Sequence, residues 1–370
     1  MIKVLNLFTT LDNGGVESFL YNYYTHMDHN LFHFDFIVPG FHKGFLEDNF
    51  IQMGSKVYHV PTMHQNPLKQ FYQIAQIIKY GNYDIVHCHG YKSILGLILG
   101  KLFGIKVRII HSHMAYEKEN RKQKIIKNIA VKVLEKYATV QLACGIDAAR
   151  WLFGVQNLNN KKVKIINNAI DVHKFLFDSN QRDRIRKSFN ISNSYVIGNV
   201  ARLSYQKNQV FLLKLVKKLS LDIPQVKLLL VGNGEDKAAL ETMVDKMDLS
   251  DKVLFLGIRK DIPSLLSAFD IFALPSRYEG LPVVLSETQS SGLVSFVSDN
   301  VTREVQITNK LMYLPLDVDL WASKIHDLYR EKEALLIQRI DTGMKMFGSK
   351  YDITVQASQL MDLYRKEVNR

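Results

Sequence analysis

Short apolar runs alternate with amphipathic stretches along nearly the whole chain of 370 residues. Runs such as 3–9, 226–231 and 271–274 have the length of single strands, and the stretches between them carry apolar residues at helical spacing. Strands that alternate with helices form parallel sheets with helices on both faces. A chain of this length allows two domains of ordinary size. The sequence therefore predicts an α/β protein with two doubly wound sheets.

Two glutamates follow the apolar run at 271–274, in the segment PSRYEGLPVVLSETQSSG. Glu279 falls in the loop after this strand, and Glu287 falls one to two turns into a helix that Pro282 can open. Ligands of an open α/β sheet bind at the carboxyl ends of its strands, where helix starts offer free N–H groups to anions. Two carboxylates beside an anion site suit a nucleotide sugar, because carboxylates accept hydrogen bonds from paired hydroxyls. The alternative is that both glutamates are solvated surface charges.

Three other strands of the second half end in loops with residues suited to phosphate. Arg202 and Lys207 follow the first of these strands and could close on a diphosphate, since a guanidinium binds phosphate in bidentate fashion and an ammonium adds a point charge. Gly232 and Gly234 follow the next and fit a loop whose backbone approaches a neighbour closely. Arg259 follows the third. Taken singly, the basic residues also fit surface charges, and Gly-x-Gly without a third glycine does not define a dinucleotide site.

A glycine pair, Gly14 and Gly15, separates the first strand of the chain from an amphipathic helix. Glycines at such a junction let the backbone approach a ligand closely. The alternative is a simple tight turn. The pattern alone leaves both interpretations open.

Two strands of the first half end in a His-x-His pattern, with His87 and His89 on one strand and His111 and His113 on the other. The alternation of a strand puts the two histidines of each pair on one face. Paired histidines could bind zinc, although no carboxylate or cysteine pattern completes such a site and Cys88 would face the other way. The structural alternative is that these are packed core histidines. The strand pattern alone does not choose among the four histidines.

The loops of the second half, in this order and spacing, resemble the donor domain of the retaining GT-B glycosyltransferases of family 4. The matching segments are ARLSYQKN, VGNGE, LGIRKDI and EGLPVVLSETQSSGL. The last is most similar to the bacterial capsule and exopolysaccharide enzymes. It departs from commoner members of the family, which have Phe-Gly at Leu281 and Pro282 and an alanine-rich stretch at Gln289, Ser290 and Ser291. Both glutamates remain in place.

The resemblance implies a role for each matching residue. Arg202 and Lys207 would bind the diphosphate, Glu287 the ribose hydroxyls and Glu279 the transferred sugar. His113 sits where related enzymes have a histidine and would reach that sugar from the other domain, with His111 as the alternative if the register differs. With an ordinary pKa near 6.5, His113 could donate a hydrogen bond to a hydroxyl in either charge state. The catalytic candidates are His113, Glu279, Arg202 and Lys207. The further donor-binding candidates, which lie in glycine-containing or base-contacting loops, are Gly14, Gly15, Gly232, Gly234, Arg259, Gly280 and Leu281, together with Glu287.

The resemblance also implies the GT-B fold, in which two Rossmann-like domains face each other across a cleft. We expect an N-terminal, acceptor-binding domain over residues 1–175 and a C-terminal, nucleotide-sugar-binding domain over residues 176–350. Residues 351–370 have apolar side chains at helical spacing. In the family such a helix crosses back to the first domain.

The net charge of +12 is concentrated in the first half of the chain. Residues 1–175 contain 21 Lys plus Arg against 12 Asp plus Glu, and many of the basic residues fall in 118–136 beside an apolar stripe. Such a basic amphipathic helix can lie on an anionic membrane surface. The alternative is a solvated helix whose stripe packs into the core. No nucleic-acid-binding motif accompanies the charge, so we expect no nucleic acid partner.

Cysteine usage and hydropathy predict the compartment. Cys88 and Cys144 lie in apolar strands and read as buried free thiols, which are typical of a reducing compartment. The amino terminus lacks a long apolar signal region, and the longest apolar stretch, at 94–105, is too short to span a bilayer. We expect a cytoplasmic protein, with association at the inner face of the plasma membrane if the basic helix binds lipid.

Divalent metal ions and other cofactors are not expected. Asp-x-Asp, which holds a metal in transferases of the other common fold, occurs at Asp317 and Asp319, far from every donor loop, and we interpret it as a helix cap. Arg202, Lys207 and a helix start would instead neutralise the diphosphate.

The sequence therefore predicts a hexosyltransferase (EC 2.4.1.-) that acts with retention on a nucleoside diphosphate sugar, preferably a UDP-sugar. Its acceptor would be a glycan or a polyprenyl-diphosphate-linked sugar in capsular or exopolysaccharide biosynthesis. Two alternatives remain open. One is a UDP-sugar epimerase of the same fold, and the other is a non-catalytic, two-lobed sugar-binding protein.

Overall fold

The chain divides into two units, each built on its own parallel sheet. The computed structural model describes residues 1–8, 15–113, 121–160 and 162–370, with the backbone alone at 121–124 and 126. Unit 1 comprises Met1–Ala169 and Ile353–Arg370, and unit 2 comprises Ile170–Asp352. Two α/β units with parallel sheets are the architecture of the GT-B fold that the sequence predicts.

Unit 1 contains a seven-stranded parallel sheet in its described residues. Its strands are β1 (Ile2–Leu7), β2 (Phe32–Pro39), β3 (Val57–Val60), β4 (Ile85–His89), β5 (Val107–Ser112), β6 (Val140–Ala143) and β7 (Val163–Ile165). Its helices are α1 (Gly15–Thr25), α2 (Glu47–Gln52), α3 (Pro67–Tyr80), α4 (Ile94–Leu102), α5 (Arg121–Tyr137) and α6 (Ile146–Asn159), to which the C-terminal α16 (Ile353–Val368) is added. The strand order is β3-β2-β1-β4-β5-β6-β7, so the direction of winding reverses between β1 and β4.

Apolar side chains cover both faces of this sheet. On one face α16 packs beside α1, and its buried residues Ile353, Leu360 and Tyr364 join Phe19 and Tyr23 in one core. On the other face the residues of α3, α4 and α6 form a second core. Cys88 and Cys144 lie in that second core as buried free thiols, as the sequence predicts.

Local signals in the sequence account for where several helices begin. At α3, Asn66 accepts a hydrogen bond from the Lys69 backbone N–H through its side chain, and Pro67 occupies the first turn, where its missing N–H costs nothing. The part of the chain that the structure describes contains no helix long and apolar enough to cross a membrane.

Unit 2 contains a six-stranded parallel sheet with the order β10-β9-β8-β11-β12-β13. These strands are β8 (Tyr195–Val200), β9 (Val226–Val231), β10 (Val253–Gly257), β11 (Ile271–Leu274), β12 (Ser295–Ser298) and β13 (Leu311–Leu314). Its helices are α7 (Val172–Phe175), α8 (Ser179–Ser188), α9 (Gln209–Leu219), α10 (Lys237–Lys246), α11 (Ile262–Ala268), α12 (Val284–Ser290), α13 (Val318–Arg330), α14 (Lys332–Ile337) and α15 (Arg339–Met344). The winding of this sheet reverses between β8 and β11.

The predicted helix cap at Asp317 is confirmed. Its carboxylate accepts hydrogen bonds from the backbone N–H groups of Asp319 and Leu320, at 2.8 and 2.9 Å, and α13 begins at the next residue. The Asp-x-Asp pattern therefore has a structural role at the start of a helix.

A buried arginine, Arg339, forms hydrogen bonds to the C-terminal ends of both α11 and α12. Arg339 is 3% exposed and donates to the carbonyls of Leu266, Phe269 and Ser291. These carbonyls lie at or just beyond the C-terminal ends of the two helices, where a cation is favoured by the helix dipole. Burial lowers the pKa of Arg339 to about 9. The network holds the helix that carries Glu287 in a defined place.

Candidate functional site

The loop after β8 and the loop after β11 lie side by side at the point where the unit 2 sheet reverses its winding. Crevices at such switch points, at the carboxyl ends of the strands, are where open α/β sheets bind ligands. Residues 201–208 form the first loop, and residues 275–283 form the second. Lys207 and Glu279, which lie 72 positions apart in the sequence, meet here.

Lys207 and Glu279 form an ion pair that is mostly shielded from water. The Lys207 ammonium lies 2.5 Å from Glu279 Oε1, and their side chains are 19% and 6% exposed. The Ser276 hydroxyl donates to the same carboxylate oxygen at 2.6 Å. Charge-assisted hydrogen bonds of this length are about twice as strong as neutral ones. The pair therefore holds a positive and a negative group at fixed positions beside the switch point.

Further hydrogen bonds join the two loops. Asn208 donates to the Pro275 carbonyl at 3.1 Å and accepts from Arg277 at 3.1 Å. The Gln206 side chain donates to the Tyr278 carbonyl, and the Arg277 guanidinium lies over the Tyr205 ring. Asn208 adopts a left-handed backbone conformation with φ of 57°, which asparagine tolerates better than most residues. The position of Lys207 relative to Glu279 is thus set by the backbone as well as by the ion pair.

Arg202 lies in the same loop but points into solvent. Its side chain is 71% exposed, and its Nε donates to Glu235 at 3.0 Å. An exposed pair of this kind contributes little to stability. The guanidinium is therefore available to exchange Glu235 for another anion.

Glu287 lies in the first turn of α12, which begins at Val284. The sequence predicts that Glu287 lies one to two turns into a helix that begins at Pro282. In the structure the helix begins two residues later, at Val284, so Glu287 lies closer to the helix start. Burial raises the pKa of the Glu287 carboxyl to about 7. No side-chain hydrogen bond to this carboxyl occurs within the described parts of the chain. A ligand that donates hydrogen bonds here would favour the charged form.

Gly232 and Gly234 bring the loop after β9 against the backbone of the loop after β8. A Cβ at Gly232 would lie 2.1 Å from the Ala201 carbonyl oxygen, and one at Gly234 would lie 2.1 Å from the Leu203 carbonyl oxygen. Gly232 also has a φ of 129°, which side chains rarely permit. The close approach predicted for these glycines is therefore an approach to the neighbouring loop that carries Arg202.

The remaining candidates of unit 2 lie in the loop after β10 and in the loop after β11. Arg259 makes a two-point ion pair with Asp261, at 2.9 and 2.7 Å, and this pairing lowers the pKa of Asp261. Gly280 and Leu281 follow Glu279 in the loop, where both are half-buried, and Leu281 packs against the core. Among the described residues, the Lys207 and Glu279 side chains bond to each other and Glu279 accepts from Ser276, and Arg259 bonds to Asp261 instead.

In unit 1 the four histidines that the sequence singles out come together at the ends of β4 and β5. The rings of His87 and His89 stack with centroids 4.2 Å apart, and those of His111 and His113 are 4.0 Å apart. Burial lowers the pKa of His87 and of His113 to about 3, with a nearby Asn168 opposing the shift at His113. The neutral imidazole is therefore the form present near pH 7.

The histidine cluster has the residue types of a metal site but a poor arrangement of lone pairs. Ring nitrogens of His87, His89 and His111 lie within 4.8 Å of one another. The planes of His87 and His111 differ by only 11°, and those of His87 and His89 by 26°. Because a nitrogen lone pair lies in the plane of its ring, stacked rings do not direct their lone pairs at one point. The stacking therefore favours the structural interpretation of these residues.

The glycine pair of the first half is only partly covered by the structure. Gly14 lies outside the described residues, whereas Gly15 is the first residue of α1, and none of the described residues would lie within 4 Å of a Cβ there. The described part of the chain therefore gives no packing reason for a glycine at position 15.

Three polar residues that support the candidate residues could not be recognised from the sequence. Ser276 and Asn208 support the Lys207–Glu279 pair, and Asn6 accepts a hydrogen bond from the histidine cluster. Single serines and asparagines occur throughout a chain and are not marked by periodicity. The position of Asn208 just before a helix was the one available clue.

Two units with parallel sheets, one of which has a charged pair at its switch point, place the chain in the class of open α/β proteins, which bind ligands at the ends of their strands. Comparison with known families identifies the class more closely. Residues 181–338 match the family described as glycosyl transferases group 1, and residues 13–174 match glycosyltransferase family 4. The chain therefore belongs to glycosyltransferase family 4, and it is a glycosyltransferase.

Similarity to individual proteins extends over most of the chain. The EpsF protein of Bacillus subtilis (strain 168), named as a glycosyltransferase, is 32% identical over 334 residues, which are 87% of this chain and 86% of EpsF. An Escherichia coli enzyme named UDP-Gal:alpha-D-GlcNAc-diphosphoundecaprenol alpha-1,3-galactosyltransferase is 29% identical over 326 residues, covering 84% and 83% of the two chains. The crystal structure of Anabaena HepE with UDP superposes with a TM-score of 0.82 at 20% identity, covering 99% of this chain and 100% of HepE. HepE has also been solved with UDP-glucose.

Proposed function

We propose that this glycosyltransferase moves a hexose from a UDP-sugar to a glycan or polyprenyl-diphosphate-linked acceptor in exopolysaccharide synthesis, with retention at the anomeric carbon. Two similar proteins support this: the Escherichia coli enzyme is named for UDP-Gal and an alpha-D-GlcNAc-diphosphoundecaprenol acceptor, and HepE has been crystallised with UDP and with UDP-glucose. The single observation on this chain that carries the proposal is the shielded Lys207–Glu279 pair at the switch point of unit 2.

The pair suggests how the donor is held. When a diphosphate enters, its oxygens replace Glu279 as the partner of the Lys207 ammonium, and Arg202 exchanges Glu235 for the same group. The Glu279 carboxylate is then free to accept hydrogen bonds from hydroxyls of the transferred sugar, while Ser276 continues to orient it. Glu287 accepts from the ribose hydroxyls. Gly232 and Gly234 shape the loop that carries Arg202, and Arg259, Gly280 and Leu281 line the rest of the donor site.

The proposed reaction needs neither a protein base nor a divalent metal. The bond from the anomeric carbon to the diphosphate oxygen breaks, and the acceptor hydroxyl attacks from the face that the diphosphate leaves. A phosphate oxygen takes the hydroxyl proton, so UDP departs as the glycosidic bond forms. The two cationic side chains stabilise the negative charge that grows on the leaving group.

Two other functions use the same site differently. An epimerase would convert the UDP-sugar into another hexose without an acceptor, and a binding protein would hold it without turnover. Family membership favours the transferase over both. Incubation of the enzyme with donor alone tests the first alternative, because a new UDP-hexose would appear only if the protein epimerises.

A thermal-shift titration with UDP, GDP, ADP and NADH, each with and without EDTA, tests donor binding. A ligand at 100 times its dissociation constant should stabilise the fold by about 2.7 kcal/mol. We expect one nucleoside diphosphate to raise the melting temperature regardless of EDTA. The shift should be clearly smaller in Lys207→Ala, because its donor affinity should be about ten- to a hundredfold weaker, and it should be kept in Lys214→Ala, which removes an exposed lysine of α9. No shift with any nucleotide would contradict the proposal.

Membrane contact is a second part of the proposal. Within the described side chains of α5, Ile125 and Ile129 are exposed, at 53% and 60%, and Lys132 and Lys136 are exposed on the same helix. Exposed isoleucines among lysines suit the interface of an anionic bilayer, which is where a polyprenyl-linked acceptor would be found. Lys127 is less suitable, because it is half-buried and its ammonium lies over the Trp151 ring.

Vesicle binding tests this surface. We expect the protein to sediment with vesicles that contain anionic lipid, and Lys132→Gln together with Lys136→Gln to weaken that binding. Each lysine near an anionic surface contributes about 1 kcal/mol. Lys227→Gln, near the start of β9 in unit 2, provides the control. Equal binding by all three proteins would rule out contact through α5.

A further inference from the structure

A pocket of about 250 Å³ lies where the sheet of unit 1 reverses its winding, between β1 and β4. Leu7 and Phe8 line it at the end of β1, Lys92 and Leu95 line it after β4, and Ile74 of α3 completes the apolar part of the wall. All the residues that line it belong to unit 1. Crevices at such switch points, at the carboxyl ends of strands, are where open α/β sheets bind ligands.

Two hydrogen-bond donors without a partner open onto this mostly apolar pocket. Lys92 is exposed and forms no ion pair with a described residue, and its ammonium lies 6.0 Å from the centre of the Tyr91 ring. Gln70 is only 7% exposed, and its side chain makes no hydrogen bond within the described structure. The Ser93 hydroxyl, by contrast, donates to the Gly90 carbonyl at 2.7 Å. None of the described residues that line the pocket is acidic.

Apolar walls with a cation and no carboxylate suit an amphiphile that has an apolar chain and an anionic head group. A carbohydrate alone would place hydroxyls against apolar walls, which costs free energy unless each finds a hydrogen bond. An inorganic anion would pair with Lys92 but leave those walls uncovered. The occupant therefore needs both parts.

We propose that this pocket binds the first isoprene units of a polyprenyl-diphosphate-linked acceptor, with Lys92 and Gln70 donating hydrogen bonds to the diphosphate. The identity of this acceptor rests on the proposed function. Pockets for drug-sized ligands have about 300 to 1,000 Å³, so this smaller one takes a short part of the chain.

The surface beside the pocket offers a path for the rest of the chain. Met63 lines the pocket yet is 61% exposed, and Leu68 and Phe71, in the first two turns of α3, are also exposed. Grouped apolar side chains on a surface mark binding sites. The loop that carries Met63 is held by two reciprocal bonds, from the Thr62 N–H to the Gln65 side chain and from the Gln65 N–H to the Thr62 hydroxyl, at 3.0 and 3.3 Å.

Methionine methyl NMR of the full-length protein locates the binding site. The probe is farnesyl diphosphate, a short and soluble isoprenyl diphosphate, and Met63→Leu and Met243→Leu identify the two signals of interest. We expect the probe to shift the Met63 signal saturably and to leave that of Met243, on α10 of unit 2, in place. A Met63 signal that does not move up to the solubility limit of the probe would overturn the proposal.

Competing ligands separate the chain from the head group. Inorganic diphosphate, which lacks the chain, should displace the probe from Met63 at least about tenfold more weakly than unlabelled farnesyl diphosphate does. Equal competition would show that the apolar walls contribute nothing. Lysophosphatidic acid joins a phosphate to an acyl chain, and if it binds at Met63 as tightly as the probe, the pocket takes membrane lipid and the proposal is wrong.

Substitutions test the two parts of the pocket. Lys92→Gln removes a charge-assisted bond and should weaken the probe about tenfold, and Leu95→Gln places an amide against the chain and should weaken it by a similar factor. The matched controls are Lys79→Gln in the last turn of α3 and Leu102→Gln at the exposed end of α4, which should bind as the wild type does. Equal affinity in all four variants would exclude this pocket. Because Lys92 is exposed, its variant keeps the test decisive even if Leu95→Gln does not fold.

These binding measurements need no turnover, so they are independent of the proposed function. A protein that binds farnesyl diphosphate at Met63 but glycosylates no polyprenyl-linked sugar would refute the proposed function and leave the pocket assignment standing. Turnover of such an acceptor with a KM that neither Lys92→Gln nor Leu95→Gln changes would refute the pocket assignment and leave the function standing.

Discussion

At the residue scale, the pairing of Lys207 with Glu279 is the feature on which donor binding depends. Removal of one partner leaves the other as an unpaired charge in a shielded place, which costs more than the pair contributes. A double-mutant cycle with Lys207→Ala and Glu279→Ala separates these effects. We expect a coupling energy of about 1 to 3 kcal/mol in the free energy of unfolding.

The exposed pair of Lys218 and Asp319 is the control for this cycle, since its side chains are 47% and 78% exposed. Surface pairs contribute about 0 to 1 kcal/mol. Equal coupling energies for the two pairs would show that the Lys207–Glu279 pair gains nothing from its position. Lys207→Ala should also weaken donor binding by about ten- to a hundredfold, the loss of charge-assisted bonds of about 1.5 to 3 kcal/mol.

The raised pKa of Glu287 leads to a second prediction at the residue scale. Its pKa of about 7 in the folded protein is above the ordinary 4.5, so the charged carboxylate is disfavoured by folding. The resulting loss of stability is absent below pH 4.5 and complete above pH 7. Glu287→Gln should therefore be more stable than wild type at pH 8, by at most about 3 kcal/mol, and no more stable at pH 4. Urea unfolding at the two pH values measures this, and a gain that does not change with pH would exclude the cause given.

At the element scale, the contact between the loop after β9 and the loop after β8 requires glycine. Gly232→Ala introduces a Cβ against the Ala201 carbonyl and a side chain at positive φ. Gly257→Ala, at the end of β10, introduces positive φ alone, because no residue that the structure describes lies within 4 Å of its Cβ. We expect Gly257→Ala to lose about 1 to 2 kcal/mol and Gly232→Ala to lose clearly more.

Gly232→Ala and Gly257→Ala should also differ in their affinity for the donor. The displaced Ala201 carbonyl neighbours Arg202, so Gly232→Ala should also bind UDP more weakly, whereas Gly257→Ala should bind it as the wild type does. Calorimetric titration with UDP gives both affinities. Similar affinities for the two variants would show that the loop contact does not position the donor site.

Elements were more predictable from the sequence than the contacts between them. The Glu279 loop, the cap at Asp317 and the two histidine pairs follow from patterns that span a few residues. The hydrogen bond from Ser276 to Glu279 and the one between His89 and Asn6 could not be predicted from the sequence. Single polar residues show no periodicity, and Asn6 and His89 are 83 positions apart. The exact start of α12 also depends on tertiary packing around Pro282.

At the scale of the whole molecule, the two units should respond differently to acid. The folded pKa values of His87 and His113 are lowered to about 3, below the ordinary 6.5, so the unfolded chain binds more protons between these values. The histidines' contribution to the stability of unit 1 is therefore complete above pH 6.5 and lost as the pH falls towards 3. His111→Phe removes one buried ring that must stay neutral and should shift acid unfolding of unit 1 to lower pH.

The two tryptophans report on the units separately, since Trp151 lies in unit 1 and Trp321 in unit 2. With 5-fluorotryptophan, fluorine NMR follows each unit during acid titration. We expect His111→Phe to move the Trp151 transition and to leave the Trp321 transition in place. A Trp151 transition at the wild-type pH would show that the histidine cluster does not govern acid stability.

Turnover of anomerically ¹³C-labelled UDP-hexoses with a polyprenyl-diphosphate-linked sugar, followed by NMR, tests the whole scheme most directly. We predict that one UDP-hexose is consumed, that UDP appears with or without EDTA, and that the product carries the donor's α configuration. Lys207→Ala should be strongly impaired. A β-linked product would contradict retention, a new UDP-hexose formed without acceptor would identify an epimerase, and no turnover of any donor would contradict the proposed reaction.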